Sequence, residues 1–109
     1  MVIFMSRPLR IEYPGAYYHV TSRGNERKEI FWEDEDRSRF IALLTRAVEQ
    51  FHLRLHSYVL MRNHYHLLVE THLGGLNRAI RYLNGVYIQT FNRRHQRVGH
   101  LFRAQMGQV

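Results

Sequence analysis

Hydrophobic and polar positions divide this chain into five regular segments. Ala16 to Arg23 is aromatic and β-branched, and reads as a strand that Gly24-Asn25 ends. Glu33 to Phe51 carries Phe40, Leu43, Leu44, Ala47, Val48 and Phe51 at helical spacing, so one helix with a core-facing stripe is expected. Its acids fall in or near the first turn, where the helix dipole favours negative charge. Leu53 to Met61 alternates, with Leu53, Leu55, Ser57, Val59 and Met61 on one face of a second strand. Arg62-Asn63 reads as a tight turn into a third strand, His64 to Thr71. After the break at Leu73-Gly74-Gly75, the residues Leu76, Ile80, Leu83, Tyr87 and Phe91 mark a second helix ending near Phe91. Asn92 to Gly99 reads as a basic loop, and His100 to Phe102 as a short strand or hairpin arm.

The order strand, helix, strand, strand, helix predicts an α+β fold. A ferredoxin-like, split βαβ antiparallel sheet with flanking helices fits it best. The first crossover makes strands one and two either non-adjacent or parallel neighbours. Residues 1–109 are expected to form a single domain. No apolar run reaches the length of a membrane span, and the start, Met1 to Met5, lacks the basic and apolar regions of a signal peptide. Met5 is an alternative start. With no cysteine, disulfides and thiolate metal sites are excluded, and a cytoplasmic location is expected.

Charge sharpens the picture. The net charge is +7, which points to a polyanionic partner. No Asp or Glu follows Glu70, whereas Arg78, Arg81, Arg93, Arg94, Arg97 and Arg103 do, together with His72, His95 and His100. All the cationic side chains except Lys28 are arginine, whose planar fork suits phosphates and base edges. A GC-rich genome also accounts for the arginine bias, but not for the missing acids.

The candidate chemistry lies in Met61 to Glu70. His64 and His66 are separated by Tyr65, so on a strand they share a face and Tyr65 points the other way. Two imidazoles on one strand face can hold a divalent ion, although from spacing alone such a pair more often sits on the polar side of a half-buried strand. His19 reads first as a polar-face residue, and reaches the pair only if its strand neighbours the third. Glu70 shares the histidine face but lies roughly 13 Å along the strand, too far for the same ion.

Several local patterns occur together in order. They are Arg10-Ile11, Pro14 to Asn25, Tyr58 to Val69, Phe91 to His95 and Gly99 to Phe102. Together these resemble the single-tyrosine HUH transposases of the branch associated with repetitive extragenic palindromes, over about residues 6–102. The resemblance implies a ferredoxin-like fold and DNA hairpins as partners. It also implies Mg²⁺ or Mn²⁺ held by two histidines and a further side chain, His64 and His66 being the matching positions. A tyrosine attacks the scissile phosphate of single-stranded DNA, forming a 5′-phosphotyrosine link that the reverse step rejoins. Such transfer needs in-line positioning and charge neutralisation. The DNA-facing residues expected here are Arg78, Arg81, Asn92, Arg93, Arg94, His95, Arg97, His100 and Arg103.

The chain departs from that pattern at Arg103 to Val109. The family's nucleophile stands on a helix beyond the Gly-His-Leu-Phe segment, and these residues do not resemble it. Tyr87 falls on the apolar stripe of the second helix, which leaves Tyr82 as the remaining candidate. The expectation is a hairpin-DNA-binding chain that lacks its catalytic tyrosine, or a non-catalytic single-strand binder or regulator. A water-activating nuclease is a weaker third reading. Apolar surface left uncovered predicts a homodimer or larger assembly.

Overall fold

The computed structural model describes residues 15–72, 74–97, 99 and 102–108, the last group by its backbone course alone. Four strands and two helices follow one another: β1 (Tyr17–Gly24), α1 (Asp34–Gln50), β2 (Leu53–Met61), β3 (His64–Thr71), α2 (Leu76–His95) and β4 (Phe102–Gln108). A short 3₁₀ turn, Asn25–Arg27, follows β1. The sheet is antiparallel with strand order β2-β3-β1-β4. β1 and β2 are therefore non-adjacent, and the first and third strands are neighbours. The α+β expectation holds.

Strand period decides which side faces the helices. Tyr18, Val20 and Ser22 of β1, and Tyr65, Leu67 and Val69 of β3, point to one side and are buried. There they meet Phe40, Leu43 and Leu44 of α1 and Leu76, Ile80, Leu83, Tyr87 and Phe91 of α2. Ile30 and Phe31, from the segment before α1, close the same core. Both helices lie on this side. The other face of the sheet carries Tyr17, His19, Thr21 and Arg23 from β1 and His64, His66, Leu68 and Glu70 from β3, and no helix covers it among the described residues.

Three expectations are corrected. The alternation assigned to β2 breaks at His56, where the register with β3 shifts between Leu55 and Ser57. One extra residue reverses the parity. Leu60 then packs on the core, and Val59 and Met61 stand half exposed. The second helix does not end at Phe91 but runs to His95, with Gln96 in the left-handed conformation as its C-cap. A fourth strand, β4, pairs with β1 from Tyr18↔Gln108 to Gly24↔Phe102, so the divergent end belongs to the sheet. Residues 1–14, His100 and Leu101 lie outside the described residues. No helix among the described residues is long and apolar enough to cross a membrane.

Candidate metal centre and nucleic-acid interface

Register places the histidines. In the β1–β3 pairing Thr21 stands opposite His66, and Arg23 opposite His64. On the other side Val59 faces His66 and Met61 faces His64. Paired residues share a face, so His64 and His66 stand amid the uncovered side of the sheet. Their rings are 4.8 Å apart and nearly perpendicular. His19 stacks on His66 at 5.0 Å, which the adjacency of β1 and β3 permits. His19, His66, Ser57, Val59 and Leu68 contribute to a shallow cavity of about 350 Å³.

Each ligand candidate has one nitrogen engaged by an oxygen of the protein. His64 Nδ1 lies 2.7 Å from Asn63 Oδ1. An amide oxygen only accepts, so Nδ1 carries the proton and Nε2 keeps its lone pair. His66 Nδ1 lies 3.0 Å from the Thr21 hydroxyl, which also leaves Nε2 to act. Oxygen partners of this kind fix the tautomer and orientation of metal-binding histidines. Burial, reinforced by Arg23, holds His64 below the usual imidazole range. Burial also lowers His66, with His64, His19 and Arg23 adding to it. His19 is lowered chiefly by burial, and its buried Nδ1 has no hydrogen-bond partner among the described residues. All three are thus biased to the neutral form, the one that donates to a metal. The two Nε2 donors fit a divalent cation that draws its remaining ligands from oxygen. Glu70 takes no part: its carboxylate lies 3.1 Å from His56 Nε2.

A second cluster lies on the helical layer. Among the described residues, Glu33, Asp36 and His95 are the three potential ligands whose donor atoms all lie within 4.8 Å of one another. Asp36 is almost fully buried, yet saturated. It accepts from the backbone N–H of Trp32 and Glu33 at 3.0 Å, from Arg94 Nε at 3.2 Å, and lies 2.9 Å from His95 Nε2. Arg94 also reaches Glu33 at 2.7 Å. A guanidinium already stands where a cation would bind, so this group reads as a clamp between the start of α1 and the end of α2. Burial pushes the Asp36 carboxyl up, but its hydrogen bonds from His95, Trp32, Glu33 and Arg94 outweigh that and hold it below the usual range.

The expected DNA-facing residues therefore separate. Arg78, Arg81 and Arg93 recur at helical spacing along the exposed face of α2, with Gly85 and Gln89 between them. Arg94 and His95 are not free, because the Asp36 clamp holds both. Asn92 donates to the Gly99 carbonyl at 3.1 Å and braces the loop after α2. Arg97 lies over Trp32 and Phe91. His100 is outside the described residues, and Arg103 occupies the β4 position opposite Arg23. Tyr82 packs at 5.8 Å on Phe51, in the helical layer, with the sheet between it and the histidines. Tyr87 is fully buried and donates to the Ile30 carbonyl at 2.6 Å, as its place on the stripe predicts. Sequence reasoning passed over Thr21, Asn63 and Asp36. Thr21 is two residues from His19 on the same face, and Asn63 precedes His64, so both were within reach.

Solved structures share this architecture. A REP-associated tyrosine transposase bound to a REP hairpin superposes with a TM-score of 0.69 at 14% identity, over 96% of this chain and 62% of that one. The chain thus spans less than two thirds of that protein's length. A protein from Deinococcus radiodurans R1, described as a candidate transposase, matches with a TM-score of 0.58 at 15% identity, over 86% of this chain and 70% of that one. No curated protein matches the chain in sequence. The family model for IS200-like transposases matches residues 12–106. That stretch contains the histidine strand, its neighbours β1 and β2, and both helices, and so the chain belongs to the IS200-like transposase family.

Proposed function

We propose that this chain is the part of a transposase that binds hairpin DNA and holds Mg²⁺ or Mn²⁺ at His64 and His66. The observation that carries the reading is the pair of imidazoles, each with Nδ1 engaged by a protein oxygen, on the uncovered face of the sheet. When bound there, such an ion would neutralise charge on a phosphate oxygen of the DNA. Thr21 and Asn63 orient the two ligands. Arg23, exposed beside His64, offers a phosphate contact next to them, and Arg78, Arg81 and Arg93 offer a second basic surface on α2. The structure of the matched REP-associated protein, solved with a hairpin bound, supports the choice of DNA form.

Strand transfer of this kind attaches the 5′-phosphate to a tyrosine and releases a 3′-hydroxyl. Tyr18, Tyr65 and Tyr87 are buried, and burial pushes the Tyr65 and Tyr87 phenols well above their ordinary range. Tyr82 stands on the far layer, and half-exposed Tyr58 shares the face of Leu67, away from the histidines. Tyr17 is half exposed on the histidine face, but it stands opposite Glu70, at the other end of β1 from the residues that pair with His64 and His66. That placement favours a second reading, in which this chain binds hairpin DNA without cleaving it.

One experiment tests both. The chain is incubated with a labelled hairpin bearing a single-stranded flank, with Mn²⁺, and run on native and denaturing gels. A complex that weakens steeply with salt is the expected result. Affinity no better than for random duplex, and flat with salt, overturns the proposal. A band surviving denaturation assigns strand transfer to this chain; a native complex alone assigns the binding role.

A further inference from the structure

The segment joining β1 to α1 forms a basic cleft that the histidine site does not use. Arg27, Lys28, Glu29, Trp32 and Arg97 line about 580 Å³ of space. Trp32 is the chain's single tryptophan and is 48% exposed. It is nonetheless fixed. Its ring packs 5.0 Å from Phe91 and 4.4 Å from His95, and its indole N–H donates to the Glu29 carbonyl at 3.2 Å. With that polar atom satisfied, what remains open is aromatic surface.

Cations frame it. The Arg97 guanidinium lies 5.8 Å from the ring centroid. Arg27 and Arg97 have no carboxylate partner among the described residues, while Lys28 makes one exposed pair with Glu26 at 3.5 Å. A rigid, half-exposed indole edged by unpaired arginines is the composition of a base-stacking platform.

Its position gives it a role. The Gly24 N–H donates to the Asn63 carbonyl at 2.7 Å, and the Ile30 and Phe31 N–H groups donate to the Arg62 carbonyl at 2.7 and 3.2 Å. The segment that builds the cleft is thus fastened to the turn that delivers His64. Arg23 and Arg62, both exposed, lie at this end of the sheet. The segment therefore borders the end of the sheet at which His64 stands.

We propose that the cleft receives one unpaired base of the single-stranded flank, stacked on Trp32, with the adjoining phosphates on Arg27 and Arg97. This rests on the DNA-binding reading above, and adds a contact made only by the single strand.

Because Trp32 is the only tryptophan, its fluorescence reports the contact directly. Four labelled ligands are titrated, with tryptophan emission and DNA anisotropy read together: a flanked hairpin, the same hairpin without the flank, the flanked hairpin with abasic sites in the flank, and a blunt duplex. Saturable quenching by the flanked hairpin alone is expected, as is an affinity loss of about tenfold when the flank bases are removed. Trp32→Ala should lower affinity for the flanked hairpin by a similar factor and leave that for the flankless hairpin unchanged. Trp32→Phe, which keeps a stacking face and the core contact, should retain most of it. Hairpin binding in anisotropy without quenching overturns the cleft and leaves the broader reading standing. Equal quenching by the abasic flank reduces the cleft to a phosphate contact and also overturns it. No binding of any DNA overturns both.

Discussion

Thr21 Oγ1 and His66 Nδ1 lie 3.0 Å apart, joined across paired positions of β1 and β3. When His66 gives Nε2 to an ion, its Nδ1–H donates to that hydroxyl. Thr21→Val keeps the shape and removes the acceptor. It should weaken Mn²⁺ binding about tenfold, with Thr21→Ser restoring most of it. Isothermal titration of Mn²⁺ into the three proteins checks this; equal affinities would show that the hydroxyl does not orient the ring.

Asp36 offers a pH test. Its folded pKa lies below the ordinary value of 3.8, so its contribution to stability is complete above that value. The contribution fades as pH falls through the lower, folded value. Acid unfolding of the native chain should therefore steepen below about pH 4, and Asp36→Asn should flatten that region of the curve. Asp36→Ala also strips the α1 entry of its acceptor and leaves Arg94 and His95 with only the more exposed Glu33 carboxylate. It should cost about 3 kcal/mol in denaturant unfolding at neutral pH.

Gly24 sits where backbone meets backbone. A Cβ there would collide with the Lys28 carbonyl. Gly24→Ala is expected to destabilise the fold by about 1–3 kcal/mol. Because the segment 24–31 is hydrogen-bonded to Arg62 and Asn63, the change should also disturb the His64 end of the sheet. Chemical shifts of the His64 and His66 ring protons would reveal it; shifts confined to residues 24–28 would contradict the coupling.

At β2, an edge strand among the described residues, Val59 and Met61 expose about half their surface, and no described strand pairs with the outer backbone groups. Such edges associate. The chain is expected to form dimers at micromolar concentration, and Val59→Lys to return it to monomer. Light scattering decides, and a native chain already monomeric would remove the edge as a cause.

Tyr82 lies in the helical layer against Phe51. If a covalent DNA adduct forms on this chain, Tyr82→Phe should leave its yield unchanged. Loss of the band in that variant would mean that Tyr82 itself reaches the scissile phosphate, which its packing on Phe51 does not allow.

Much of this was legible in the sequence, because periodicity reports burial. The stripes of α1 and α2 and the limits of β2 and β3 follow from it directly. What escaped depends on distant partners. The extra residue at His56 leaves no mark on a two-residue alternation until β3 fixes the register. Asn92 to His95 looked like a loop because it is polar. It stays helical because Arg94 and His95 close onto Asp36, nearly sixty positions earlier, and because cations suit a helix C-terminus. β4 has weak strand chemistry of its own, and its pairing with β1 supplies the order. That His64 and His66 share a strand face follows from their spacing, whereas the hydroxyl behind His66 needed the β1–β3 register. Trp32 gave no signal at all, since a lone aromatic before an acidic helix start is indistinguishable from core.

The strand order β2-β3-β1-β4 has a consequence for how the histidine centre endures thermal motion. The strands that fray first in a sheet are its borders, and here those are β2 and β4. His64, His66, Thr21 and His19 all belong to the two inner strands. These side chains therefore stand inboard of the two margins at which opening is easiest.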